Sequence, residues 1–186
     1  KAIAKHYNVN VTLCINKNIN IGKILQKQSY INSIIENPFR KGRFFLSDVF
    51  NLSKKLNEKN IDCAFILDKT KGPAIACNLA RVKKIYGFGI GSQKYFVEKF
   101  PTLNRNDLRY NYTKQSIKFL HKLNIFCDFN ESFLVLDQEE NKNLLKEYEG
   151  LPKPWVCFAV DSTEVNRVWP QRNFAQLADE LVEKNL

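Results

Sequence analysis

Ser162, Thr163 and Arg167 lie in a largely polar stretch between an apolar run at 156–160 and the pair Trp169-Pro170. Beyond Pro170, the residues Phe174, Leu177, Ala178, Leu181 and Val182 recur at the spacing of an amphipathic helix. Strand, hydroxyl-bearing loop, cation and helix N-terminus, in that order, assemble an anion site. Free backbone N–H groups, the positive end of the helix dipole and a guanidinium converge there on a phosphate. Hydroxyl donors and a fixed cation can also neutralise charge developing on a diphosphate leaving group without a metal. The structural alternative is a loop that caps the next helix and leaves Arg167 in water. Trp169 and Pro170 read as structural, since Pro suits a first helical turn and Trp fills space between layers.

A second candidate is the basic loop at 37–43, where Arg40, Lys41 and Arg43 stand between a strand and a helix. Ligands of parallel-sheet proteins gather at such loops, and three cations there suit phosphate or carboxylate groups. A solvated basic loop is the competing reading. Asp68, Lys69 and Lys71 follow an apolar strand at its carboxyl end, the functional edge of such a sheet. His6 and His121 are isolated, and His121 reads as a packing or surface residue. The run from Gly87 to Gly91 has neither the Lys-Ser/Thr of a P-loop nor a full dinucleotide fingerprint.

The elements that must position these residues are legible as alternation. Strands are predicted at 9–15, 31–35, 62–67, 83–88 and 156–160, and helices at 21–28, 45–60, 74–80 and 113–123. The helix at 45–60 takes Leu46, Val49, Phe50 and Leu56 as its apolar face, with Ser47 or Asp48 as N-cap. The run at 62–67 reads as a strand buried on both faces. The helix at 113–123 buries Ile117, Leu120 and Leu123. Residues 68–73 form a turn, 89–112 read as irregular, 139–149 as a charged helix or linker, and 152–154 as a stiff boundary. Strands and helices at this spacing imply an α/β fold, a parallel sheet with helices on both faces.

The block Ser162-Thr163, Arg167-x-Trp169-Pro170 and Phe174 resembles the start of the nucleotide-sugar-binding domain of the family 9 glycosyltransferases, the lipopolysaccharide heptosyltransferases. Arg167 stands where that family usually has Lys, which keeps the charge and changes its shape. The phrase from Leu56 to Asp68, and Ala74–Ala80 followed by Val82 to Gly87, are similar to parts of the family's first domain. The resemblance implies a GT-B-type fold: a Rossmann-like acceptor domain over 1–136, then a linker and the beginning of a second Rossmann-like donor domain over 137–186. It also implies inverting transfer of heptose from ADP-heptose to the lipopolysaccharide inner core, with no metal or cofactor. Ser162, Thr163 and Arg167 would hold the donor diphosphate, and Arg40, Lys41 and Arg43 an acidic glycolipid acceptor. The family's catalytic base is the Asp of a Gly-Asp turn. That turn has no counterpart before Val9, so the base is expected upstream of Lys1 and the chain reads as an internal, inactive fragment. The implied location is cytoplasmic, with peripheral contact at the inner membrane.

Charge is spread unevenly. Residues 1–60 hold 11 Lys and Arg against 3 Asp and Glu, and 61–130 hold 12 against 5, whereas 131–186 hold 6 against 11. The basic part favours phosphorylated glycolipid, an anionic membrane face or nucleic acid. A nucleic-acid-binding module is therefore one competitor, although the aromatics mostly occupy periodic apolar positions and no nucleic-acid-binding motif is present. A remnant that keeps the fold without the chemistry is another. The five cysteines are far apart and form no Cys-x-x-Cys or Cys/His cluster, so free thiols in a reducing compartment are expected rather than zinc or disulfides.

Overall fold

Strand and helix alternate through the first part of the chain. The computed structural model describes residues 1–16, 22–39, 43, 45–127, 138–151, 153, 155–160 and 168–184. The first of its two units is Lys1–Val135. It runs α1 (Ala2–Tyr7), β1 (Val11–Asn16), α2 (Gly22–Gln26), β2 (Ile31–Asn37), α3 (Leu46–Glu58), β3 (Cys63–Ile66), α4 (Gly72–Leu79), β4 (Lys84–Gly87) and α5 (Tyr112–Lys122). Short 3₁₀ turns at Gly91–Tyr95 and Asp107–Arg109 occupy the stretch expected to be irregular. The second unit, Leu136–Leu186, holds α6 (Gln138–Glu147) and α7 (Gln171–Glu183).

The expected parallel pairing is present in two small sheets. β1 pairs with β2, with a register shift after Val11, and Thr12 and Ser33 hydrogen-bond across the pair at 3.0 Å. β3 pairs with β4 so that Ala64 faces Ile85 and Phe65 faces Tyr86. Each sheet has two strands among the described residues. With so few neighbours β3 is not covered on both faces: Ile66 is buried, Ala64 and Phe65 are half-buried and Cys63 is exposed. The expectation of a strand buried on both faces is corrected accordingly.

Helices α3, α4 and α5 end in one shared device. In each, a residue enters the left-handed region just past the helix: Asn60, Arg81 and Asn124, with φ of 49°, 56° and 58°. The next residue then donates its N–H back to a carbonyl five residues earlier: Ile61 to Leu56, Val82 to Cys77 and Ile125 to Leu120. These are Schellman motifs, which satisfy terminal carbonyls and place an apolar residue against the last turn. Ile61, Val82 and Ile125 accordingly join the two apolar cores.

The first core gathers Ile35 of β2, Ile66 of β3 and Ile85 of β4 with Val49, Leu52 and Leu56 of α3 and the small residues of α4. α3 buries Val49, Leu52, Ser53 and Leu56, a stripe at helical spacing. The expected face is thus corrected: Leu46 and Phe50 are exposed. The expected cap is corrected as well. Phe45 takes the N-cap position with no side-chain cap, and Asp48 falls in the first turn, where its charge suits the helix dipole. The second core joins Phe88, Phe119, Leu120, Leu103 and Ile125. On α5 it is Gln115, Phe119 and Leu120 that are buried, while Ile117 and Leu123 are half-buried.

In the second unit the run at 156–160 is not a strand: no strand pairs with it among the described residues, and only Phe158 is half-buried. An isolated extended segment has nothing to close its backbone hydrogen bonds, so the apolar pattern alone does not make a sheet. The helix expected after Trp169-Pro170 is α7, with Pro170 as its N-cap at φ −55°. No described helix is long and apolar enough to cross a membrane.

Candidate functional site

Parallel strands present their carboxyl ends, and the loops that follow them, at one edge where ligands are bound. In this chain that edge is built around Gln93. Its side chain is fully buried, and its amide nitrogen donates to the carbonyls of Asp68 and Thr70, both at 2.9 Å. Its Oε1 accepts from the Gly89 N–H at 2.9 Å. One amide thus ties the loop after β3 to the loop after β4. Gly89 sits at φ 70°, a left-handed conformation, and a Cβ there would strike the Thr102 side chain. The glycine run of the sequence is a tight turn around Gln93.

The Asp68 carboxylate accepts from the Thr70 N–H within the same loop, so it acts as a turn-former. Phe39, in the loop after β2, lies against Gly72 at the start of α4, where a Cβ would come 2.6 Å from the ring. The loops after β2 and β3 therefore meet.

Around this edge runs a surface of lysines on tyrosines. The Lys69 ammonium lies 4.9 Å from the centre of the Tyr112 ring. Lys114 and Lys118 lie 4.4 and 4.7 Å from that of Tyr110. The geometry is that of cation–π pairs, which hold flexible ammonium groups in place. Asp107 is buried beneath them. Its carboxylate accepts from the Lys122 ammonium at 2.7 Å and from the Asn104 N–H at 3.0 Å, while Lys118 stands 3.9 Å away. Asn104 in turn accepts from the Asp107 N–H at 3.0 Å, the reciprocal arrangement of a capping box. Between 101 and 122 there are five Lys or Arg and one acid, and that acid is internally paired. The surface is arranged to attract an anion.

The Lys122 hydrogen bond, with burial opposing it, holds the Asp107 carboxyl below its usual range. A depressed carboxyl contributes stability that is present above its unfolded pKa, about 3.9, and lost as pH falls through the folded value. Asp107→Asn is expected to cost roughly 1.5–3 kcal/mol near pH 7, the scale of a hydrogen bond to a charged group. The difference from the parent should shrink steadily below pH about 4. Urea midpoints measured across that range check it, and a deficit independent of pH would refute the ionic account.

Of the residues singled out from sequence, Ser162, Thr163, Arg167, Arg40 and Lys41 lie outside the described residues. Arg43 is exposed, two residues before the N-cap of α3. His121 packs its ring 5.4 Å from Phe126. An open cleft of about 360 Å³ lies at the end of β2, lined by Glu36, Asn37 and Pro38 and by Lys54, Lys55 and Glu58 of α3. Trp169 has a definite local task. It precedes the N-cap and packs edge-on against Phe174 in the second turn of α7, with ring centroids 4.8 Å apart. This is a hydrophobic staple, which fixes the angle at which the chain enters the helix. The Phe158 ring also lies against Phe174, with centroids 5.8 Å apart.

Sequence reasoning did not anticipate Gln93, Asp107, Tyr110 or Tyr112. A lone Gln or Asp carries no periodic signal, and only the convergence of loops gives it a role. Comparison of the chain with protein-family models, with curated proteins and with solved structures gave no match.

Proposed function

We propose that this chain belongs to a GT-B-type inverting glycosyltransferase that transfers heptose, or a related sugar, from ADP-heptose to the inner core of lipopolysaccharide. The observation that carries the reading is the onset of α7 directly after Trp169-Pro170, with Trp169 stapled to Phe174. Polar loop, cation, Trp-Pro and helix is the layout of the donor-diphosphate turn that the sequence resembles, and the staple aims the N–H groups of α7's first turn.

In this reading Ser162, Thr163 and Arg167 bind the diphosphate and offset the charge that builds on the departing ADP. The first unit takes the acidic glycolipid acceptor, with Arg40, Lys41 and Arg43 as its cations. Its basic carboxyl edge and its parallel α/β architecture suit that role. An Asp of the family's Gly-Asp turn, not matched in this sequence, would deprotonate the acceptor hydroxyl for in-line displacement. No metal or cofactor takes part. The reaction would proceed in the cytoplasm at the inner membrane.

The test is transfer from ADP-heptose to a deacylated, water-soluble core oligosaccharide by the full-length protein. Arg167→Ala is expected to lower kcat/KM by about 10²–10³-fold, the effect of removing one donor from a developing negative charge. Transfer and donor binding unchanged by Arg167→Ala would sink the site, and absence of any transfer would sink the reaction.

A further inference from the structure

We infer that the start of α3 is a docking surface for an anionic lipid bilayer. Phe45, Leu46 and Phe50 are 52%, 66% and 61% exposed. Leu46 and Phe50 are one turn apart on the same side of the helix, and Phe45 directly precedes Leu46. These side chains are not unfilled core positions. The buried stripe of α3 is already supplied by Val49, Leu52, Ser53 and Leu56.

The charge around the patch selects the occupant. Along the chain, residues 36–58 hold five Lys or Arg, at 40, 41, 43, 54 and 55, against Glu36, Asp48 and Glu58. Arg43 and Lys54 are exposed at either end of the apolar residues. A second copy of the chain is disfavoured as partner, because a self-complementary contact sets this basic surface against itself. Apolar side chains flanked by Arg43 and Lys54 match the boundary between acyl chains and anionic headgroups. Phe and Leu enter the apolar layer there, while Lys and Arg reach the phosphates.

The surface gives a location to the membrane contact in the reading above, and it rests on that reading only for that contact. Along the chain α3 follows β2, and Asn51, Lys54, Lys55 and Glu58 of α3 line the cleft at the end of that strand. The loop after β2 meets the start of α4 through Phe39 and Gly72.

The experiment is co-sedimentation of the full-length protein with vesicles of phosphatidylcholine alone and with about one-third phosphatidylglycerol, with and without high salt. Binding is expected only to the anionic vesicles and should weaken with salt. The double variant Leu46→Ser/Phe50→Ser should bind at least about tenfold more weakly, as follows from losing two apolar insertions. Unchanged thermal unfolding would show that it is folded. No binding by the parent, or equal binding by the double variant, overturns the inference. So does a concentration-dependent dimer that the double variant abolishes, since that gives the patch to a second copy. Transfer to the soluble acceptor separates the two proposals: a parent protein that transfers sugar but binds no vesicles removes the docking surface and leaves the transferase reading standing.

Discussion

Replacing Phe119 with Ala is expected to lower stability by about 3–5 kcal/mol, the range for removing a large aromatic side chain from a core. Phe119 is fully buried, and its ring meets that of Phe88, also fully buried, edge-on at 5.5 Å and 72°. Such a pair contributes roughly 0.5–1.5 kcal/mol beyond the apolar area it hides. Phe88 follows β4 and Phe119 belongs to α5, so this contact fastens the helix to the sheet. Leu103, Leu120 and Ile125 close around it and leave little freedom to collapse into the vacated volume. Urea unfolding should show a lower midpoint with an unchanged slope. Phe119→Leu keeps most of the volume and should cost distinctly less. A loss under about 1 kcal/mol for the Ala variant would mean that α5 lies outside the cooperative unit.

That contact matters for the site because α5 carries Lys114, Lys118 and Lys122. Lys122 also donates to the Thr102 carbonyl at 2.9 Å, which ties α5 to the segment after β4. The cation-bearing face is therefore only as rigid as the core beneath it.

Much of the fold was legible because period and composition agreed. The strand expected at 31–35 is Ile31–Asn37, and the helices expected at 45–60 and 113–123 are Leu46–Glu58 and Tyr112–Lys122. Sequence reasoning did not anticipate the shared helix endings, although two of them have Asn at the left-handed position, Asn60 and Asn124. Which face a helix buries was harder to see. α3 has apolar residues around much of its first two turns, and the choice of Leu52 over Leu46 is made by where the strands lie, which no local pattern records. α1 went unread because six residues are too few for a helix to be specified by propensity. The run at 156–160 failed as a strand for the opposite reason: its local preference was clear, but pairing is a property of two segments.

The site divides in the same way. Basic clusters could be found by counting, and Arg43 is as exposed as a solvated or ligand-facing cation should be. Trp169-Pro170 was read correctly as structural, but its task is local. Trp169 remains 43% exposed and staples α7 instead of filling a layer. Residues that act by joining distant loops gave no signal at all.

Gln93 is the strongest instance, and Gln93→Leu is expected to destabilise the protein by roughly 2–4 kcal/mol. Leucine fits the volume but leaves the Gly89 N–H and the Asp68 and Thr70 carbonyls without their partner. Each buried group so orphaned costs about 1–3 kcal/mol. The total falls short of three full penalties because the loop at 68–70 is partly exposed and its carbonyls can turn to water. That escape has a consequence for the site. Lys69 would leave Tyr112, and the anion-attracting edge would lose its fixed shape with the sheet still intact. Hydrogen exchange should therefore quicken at the Gly89 amide by more than global destabilisation explains. Gln93→Glu separates hydrogen bonding from volume. A carboxylate facing two carbonyl oxygens has its ionised form disfavoured, so its folded pKa rises above the unfolded value of about 4.3. The variant should be least impaired below pH about 4 and progressively more impaired as pH rises, opposite in sign to the carboxylate of Asp107. If Gln93→Glu proved as stable as the parent at pH about 7, the two carbonyl bonds would contribute nothing to holding the loops together.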